Sequence, residues 1–348
     1  MQSVNQRKQT GRHDPFRRMP SAAFVAFAAF AFSLLVTASA FSQEIPAGKR
    51  GTLPRDLYTK ETMPAQAPVY PTGAPYVYRG TDFVMVAFTT DEDKAAALIP
   101  EQLQLIKIPQ LPGQASAVAI FANYRGNDQT GPYMEAIVAI PVLYNGHIYN
   151  YVPYIYVDND AALLAGREFG GYPKKIADIE MRNYGSLFLA SMSRGTMQKK
   201  TASSLFSDIV SLNAKKGGTL FSVPLPAEKI AQLPFPYNEI LPLPEATGTA
   251  QEYSFMTMGL RRIQGVGSGP TGQSGAEILQ LISTPWVVKK ATFYAGEEAS
   301  LEFYPSAEDP IAQQLPINMV LASVIMRADE MMTDANDWKV EVDLLKRP

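Results

Sequence analysis

Cysteine is absent from this 348-residue chain, which excludes thiol nucleophiles, thiolate metal sites and disulfide bonds. Histidine is almost absent: His13 and His147 are the only two. His13 lies in a segment expected to be removed, so the mature chain has no multi-histidine metal centre, and a histidine-based triad would have to use His147 alone. Neither sign of charge dominates. The formal net charge is −2, and without a basic excess nucleic acid is not an expected partner. Phosphate-binding signatures are equally thin. Gly267, Gly269 and Gly272 match the dinucleotide string, but Pro270 removes a backbone donor, no P-loop lysine follows, and the flanking strands do not suggest a βαβ unit; residues 265–275 read as a flexible loop. The side chains left for chemistry are Lys, Asp, Glu, Tyr, Ser and Thr.

What is present begins with an export signal over residues 1–40. Arg7, Lys8, Arg12, Arg17 and Arg18 form a positive start, residues 22–36 are an uncharged apolar run, and Ala38-Ser39-Ala40 supplies a small-x-small cleavage site. The alternative is an uncleaved anchor, since 21–40 is just long enough to span a bilayer; the Ala and Ser content and the cleavage site favour removal. A periplasmic or secreted protein without stable membrane insertion is therefore expected. Residues 41–75 read as an extended lead-in, and 76–348 as a single domain. At 46% hydrophobic residues, the chain can bury a sizeable core.

That domain reads as mainly β (α+β). Strand-like runs occupy 82–88, 115–124, 133–144, 148–157, 174–181, 186–192, 218–225, 253–263, 286–294, 300–304, 317–326 and 338–345. Asn145-Gly146 marks a two-residue hairpin. Short helices are expected over 91–99 and 160–169, with a helix or lid over 202–212 and proline-rich connections from 224 to 244. Many strands with few long helices predict an antiparallel β-barrel or cone with peripheral helices.

The stretch Tyr172-Pro173-Lys174-Lys175 draws attention as a possible amine nucleophile. As a dipeptide, Lys-Lys carries no weight, because it recurs at 199–200, 215–216 and 289–290, and a solvated surface pair is the ordinary reading. A lysine reacts only as the free amine, and at pH 7 roughly one in a few thousand is neutral when unperturbed. A second ammonium or an apolar wall changes that balance. Consecutive strand side chains face opposite ways, so Lys175 is expected to point away from Lys174. Desolvation by Tyr172, Phe169 and the aromatic strand 148–156 is then the larger influence. Arg167 and Glu168 read as members of an intrahelical or inter-element salt bridge, His147 as an exposed turn residue, and the tyrosines of 148–156 as core and barrel wall.

The block Glu135-Ala136-Ile137-Val138-Ala139-Ile140-Pro141-Val142, then Asn145-Gly146, Tyr156-Val157-Asp158-Asn159-Asp160, Gly166-Arg167-Glu168-Phe169 and Tyr172-Pro173-Lys174-Lys175 resembles the central block of the acetoacetate decarboxylase family. Weaker likeness spans most of 76–332. The resemblance implies an antiparallel β-barrel or cone, a homo-oligomer, a buried cavity, a lysine Schiff base, and no added cofactor or metal. By position it makes Lys174 the nucleophile and Lys175 its neighbour. It likewise makes Glu135 the pocket acid and Tyr172 an aromatic wall that meets substrate. This family is itself a stock illustration of lysine activation, so those roles rest on the resemblance and not on spacing. For Glu135 the alternative is a buried strand carboxylate paired with Arg or Tyr.

Two departures stand out. The family's second acid is missing from 117–120, and its substrate arginine aligns with Thr81, leaving Arg79 to meet the substrate carboxylate after a small register shift. The expected function is Schiff-base decarboxylation of a small β-keto acid such as acetoacetate. An aldolase- or dehydratase-like reaction on another oxo acid and a non-catalytic binding protein are the alternatives.

Overall fold

A computed structural model describes residues 49–55, 67–72, 75–195, 207–223, 253–264 and 276–346. The expected export signal, the loop 265–275 and the connection 224–244 lie outside the described residues, as does much of the lead-in. The strands, in order, are β1 (Tyr76–Asp91), β2 (Gln104–Leu105), β3 (Gln114–Tyr124), β4 (Gly126–Asn127), β5 (Tyr133–Tyr144), β6 (His147–Val157) and β7 (Lys174–Ile176). They continue with β8 (Asp178–Tyr184), β9 (Leu187–Arg194), β10 (Ser207–Val223), β11 (Tyr253–Gln264), β12 (Ala276–Phe303), β13 (Met319–Thr333) and β14 (Lys339–Asp343). Among the described residues three short helices accompany them: α1 (Glu92–Ala96), α2 (Asp160–Glu168) and α3 (Ile311–Gln314). Among the described residues no helix is long and apolar enough to cross a membrane.

The mainly β class is as expected, and the pairings run round a closed circuit. Strand β6 pairs with β5, β5 with β3, β3 with β1, β1 with β13, β13 with β12, and β12 with β11, which returns to β6. Most pairings are antiparallel, but β6 meets β7 and β11 in parallel over a few residues. The parallel β6–β7 pair requires a crossover, and α2 provides it. The 28-residue β12 is shared: one part pairs with β11, and the rest lies between β13 and β10, from which β9 and β8 follow outward.

Strand β1 shows why the circuit has two apolar faces. From Thr81 to Thr90 every residue except Met85 is buried. Val84, Val86 and Phe88 belong to a core shared with Phe188, Ala190 and Met192 of β9. Phe83, one residue out of phase, faces a second core with Tyr124, Tyr133 and Phe293. A strand with cores on both sides reads as a continuous apolar run, not as an alternation.

The described part of the expected helix or lid at 202–212 is strand instead. Val210, Leu212 and Ala214 are buried while Ser211 and Asn213 are less so, a period of two that pairs with β9 and β12. The two runs expected at 286–294 and 300–304 are one strand, because β12 bridges them through Glu298 in a left-handed conformation, φ 49°.

Gly171 fixes how the crossover seats on the sheet. Its φ is 69°, and a Cβ there would fall on the backbone nitrogen of Arg261 in β11. Backbone cannot swing aside as a side chain does. Gly171→Ala is expected to destabilise the fold by about 2–4 kcal/mol, combining a strained φ with a steric conflict. Urea unfolding curves measure this, and a loss below 0.5 kcal/mol, about the noise of a neutral surface change, would refute the close-packed seat.

Candidate active site

The crossover decides which lysine enters the interior. Asn159 caps α2, its side chain accepting from the Ala162 N–H at 2.8 Å. After Gly170-Gly171 the chain returns beside β6, with Lys174 opposite Ile155 and Lys175 opposite Tyr156. Adjacent strand residues face opposite sides, and so do these two. Ile155 lines an interior cavity and Lys174 joins it, with 8% of its side chain exposed. Tyr156 and Lys175 meet a different group, Asp309.

The cavity holds about 150 Å³ and takes its walls from β1, β3, β5, β6, α2 and β11 to β13. Lys174 Nζ lies 2.6 Å from Glu135 Oε2, and both side chains are buried. The Tyr124 hydroxyl donates to Glu135 Oε1 at 3.3 Å, and the Tyr133 ring centre lies 5.6 Å from Nζ. Tyr124 packs between Tyr133 at 4.6 Å and Tyr78 at 4.9 Å, centre to centre. Burial pushes the phenols of Tyr78, Tyr124 and Tyr133 well above the usual range, so they remain hydroxyl donors. Glu135 and Lys174 are the only carboxylate and ammonium among the described lining residues, and no guanidinium joins them.

Gly166 on α2 makes room for the amine. A Cβ at this position would sit 2.5 Å from Lys174 Cε and 3.2 Å from Nζ. Arg167 secures the backbone beside it, donating to the Lys174 carbonyl at 3.0 Å. Where an intrahelical or inter-element salt bridge was expected for Arg167 and Glu168, Arg167 holds this backbone carbonyl and Glu168 accepts from the Tyr70 hydroxyl.

Tyr172 also lines the cavity. Its hydroxyl is 2.6 Å from Thr257 Oγ1, which accepts from Trp286 Nε1 at 3.1 Å. Burial raises its phenol above the ordinary value. Arg79 is placed otherwise than expected. It lies outside the cavity lining, exposed and paired with Asp128 at 2.7 Å, because Tyr76 and Tyr78 are the cavity-facing residues of this part of β1 and Arg79, next after Tyr78, faces the other way. The source of desolvation differs as well. Phe169 packs on Tyr70 and Trp338, and β6 offers the cavity Asn150, Val152 and Ile155 while its tyrosines face elsewhere. The walls around the amine come from Tyr133, Tyr124 and Tyr172. As expected, His147 is exposed, at the start of β6.

Lys175 is held in its own ion cluster. Its Nζ lies 2.6 Å from Asp309 Oδ1 and donates to the Glu308 carbonyl at 3.2 Å. Tyr156 donates to the same Oδ1 at 2.8 Å, and Arg194 Nε stands 3.0 Å from Oδ2 without hydrogen-bond alignment. Asp309 is almost wholly buried. Sequence reasoning overlooked it, and also Tyr124, Tyr133, Gly166, Thr257 and Trp286. Parity would have found one of these, because Tyr133, Glu135, Ile137 and Ala139 share one face of β5. Val118 and Ile120 stand on the β3 wall, where no acid replaces them. No group of three potential ligands is placed to hold a metal ion among the described residues.

Fold and site together define a closed mainly β protein with a lysine–carboxylate pair in an apolar cavity. Residues 60–339 match the family Acetoacetate decarboxylase (ADC), and the chain belongs to that family. It is 30% identical over 151 residues to the acetoacetate decarboxylase of Burkholderia vietnamiensis, covering 42% of this chain and 57% of that protein. It is 32% identical over 143 residues to that of Clostridium beijerinckii, covering 40% of this chain and 54% of that one. The chain thus spans about half the length of the curated relatives it matches. Acetoacetate decarboxylase from Legionella pneumophila superposes with a TM-score of 0.61 at 22% identity, covering 86% of this chain and all of that one. The enduracididine biosynthesis enzyme MppR, complexed with pyruvate, superposes at 0.52 with 14% identity, covering 78% of this chain and 92% of that one. These superpositions establish the shared fold.

Two substitutions separate the lysines. Gly166→Ala is expected to lower covalent capture of a ketone by Lys174 at least ten-fold, through displacement of its side chain. Lys175→Ala is expected to leave capture and its pH profile within two-fold of wild type, while costing about 1–2 kcal/mol of stability, a figure discounted for the partial exposure of Lys175. Borohydride trapping across pH, alongside urea unfolding, reads both effects. A shifted pH profile in Lys175→Ala would mean that charge repulsion, and not enclosure, activates the amine.

Proposed function

We propose that the protein is a Schiff-base decarboxylase of a β-keto acid. The observation that carries this is the 2.6 Å contact between Lys174 Nζ and Glu135 Oε2 inside an apolar cavity. In such surroundings a proton passing from Nζ to Oε2 removes both charges and leaves a free amine beside a protonated acid. The amine attacks the ketone carbon. Glu135 returns its proton to the departing hydroxyl, water leaves, and a cationic imine remains on Lys174. The electron pair of the bond to the carboxylate flows into that imine as CO2 departs, giving an enamine. A proton delivered through Glu135 to the α-carbon regenerates the imine, and water releases the ketone and the lysine.

The lining favours decarboxylation over an aldolase- or dehydratase-like reaction. A product that keeps its carboxylate needs a lasting cationic partner, and Lys174 is consumed in the imine. Among the described lining residues no second cation is present, with Arg79 turned outward. A carboxylate that leaves as neutral CO2 needs none. The retained amine and acid argue against a purely binding role.

Borohydride reduction with acetoacetate, followed by mass mapping, is expected to label Lys174, and CO2 release is expected to accompany turnover. Glu135→Gln is expected to reduce kcat by about 100-fold or more, the usual range for loss of a positioned acid–base group. Absence of an adduct with acetoacetate and with pyruvate would refute the imine, while an adduct with pyruvate but no CO2 from acetoacetate would favour the alternative reaction. The proposal includes export after removal of residues 1–40 and assembly as a homo-oligomer. The N-terminus of the mature chain, read by mass spectrometry, and light scattering test these two points.

A further inference from the structure

We infer that the substrate carries an apolar group larger than the methyl of acetoacetate on its carbonyl carbon, so that the enzyme acts on longer-chain 3-oxo acids. This rests on the imine reading of Lys174. Its basis is the shape and chemistry of the cavity away from the reacting amine. On β5 the lining residues Tyr133, Glu135, Ile137 and Ala139 span six residue steps, roughly 20 Å at the ordinary strand rise. On β13 they run from Val324 to Thr333, a still longer stretch. The amine is fixed at one level of this wall, beside Glu135. A four-carbon acid joined to it there contacts only a small part of the lining.

Most of the lining is apolar, although the Tyr76 and Thr130 hydroxyls also face it without a hydrogen-bond partner. Met85, Ile120, Phe255, Phe293, Met326 and Met331 all contribute. The polar atoms of the two indoles are already engaged: Trp286 donates to Thr257, and Trp338 donates to Thr333 at 2.8 Å. Trp286 stacks on Phe255 with ring planes 6° apart, and Trp338 stacks on Tyr76 at 17°. The cavity holds about 150 Å³ and its lining extends along the strands, which suits an unbranched chain. Each methylene buried against these walls strengthens binding roughly four-fold.

The chain contains two tryptophans, and both line the cavity, so their emission reports occupancy without any need for turnover. Acetone and heptan-2-one, the ketones left by decarboxylation of acetoacetate and 3-oxooctanoate, would be titrated against wild type and against Lys174→Met, which cannot form an imine. Heptan-2-one is expected to bind at least ten-fold more tightly than acetone in both proteins, and kcat/KM for 3-oxooctanoate is expected to exceed that for acetoacetate at least ten-fold. Equal ketone affinities would overturn the inference, and so would a kcat/KM that falls with chain length while borohydride still traps acetoacetate on Lys174. If neither acid is trapped and heptan-2-one still binds tightly, the imine step is lost and the apolar ligand class stands.

Discussion

An ammonium and a carboxylate 2.6 Å apart, both side chains nearly buried, set the terms for the rest of this molecule. Two buried charges are tolerated only when each has a partner and further hydrogen bonds complete the shell. Lys174 has Glu135, and Glu135 has the Tyr124 hydroxyl as well. Enclosure makes the pair costly, so the surrounding structure must hold it firmly. The closed circuit of strands supplies the walls of the cavity, the helix-borne crossover brings β7 alongside β6, and Gly166 leaves the space in which the lysine side chain lies.

The neighbouring lysine serves a different end. Lys175 emerges from the other face of the same short strand and joins Asp309, Arg194 and Tyr156. Asp309 lies just before α3, far away in sequence, so the cluster ties the return strand of the crossover to the C-terminal part of the chain. A doubled lysine thus does two unlike things, one inside the cavity and one in a structural ion cluster, with strand geometry as the cause. What surrounds the amine is the cavity wall, with tyrosines from β3, β5 and the stretch before β7.

Much of this could be read in advance, for identifiable reasons. Strands with strong apolar or aromatic runs, such as β3, β5 and β6, declare themselves because local pattern and burial agree. The Asn145-Gly146 hairpin is likewise local chemistry. The strand at 207–212 was mistaken for a helix because its short alternation sits beside residues that suit an amphipathic helix, and the partners that decide between them, β9 and β12, are remote. Arg79 was assigned to the cavity from an approximate alignment, but Tyr76 and Tyr78 are the cavity-facing residues of that part of β1, so Arg79 faces the other way, towards Asp128 and solvent. The tyrosines of 148–156 were credited with walling the amine, yet the β6 residues that do so are Asn150, Val152 and Ile155.

By itself, then, the sequence determined the chemical repertoire. With no cysteine and almost no histidine, lysine and carboxylate chemistry remained, and the block from Glu135 to Lys175 carried the family pattern. It also determined the class of fold, because strand patterning is local. Tertiary structure alone decided which residues converge. Glu135 and Lys174 are 39 residues apart and meet only because a parallel return strand sets Lys174 beside Ile155. The pairing of Lys175 with Asp309, the tyrosine walls and the reach of the apolar cavity depend in the same way on strand register, which long-range pairing establishes and no short stretch of sequence encodes.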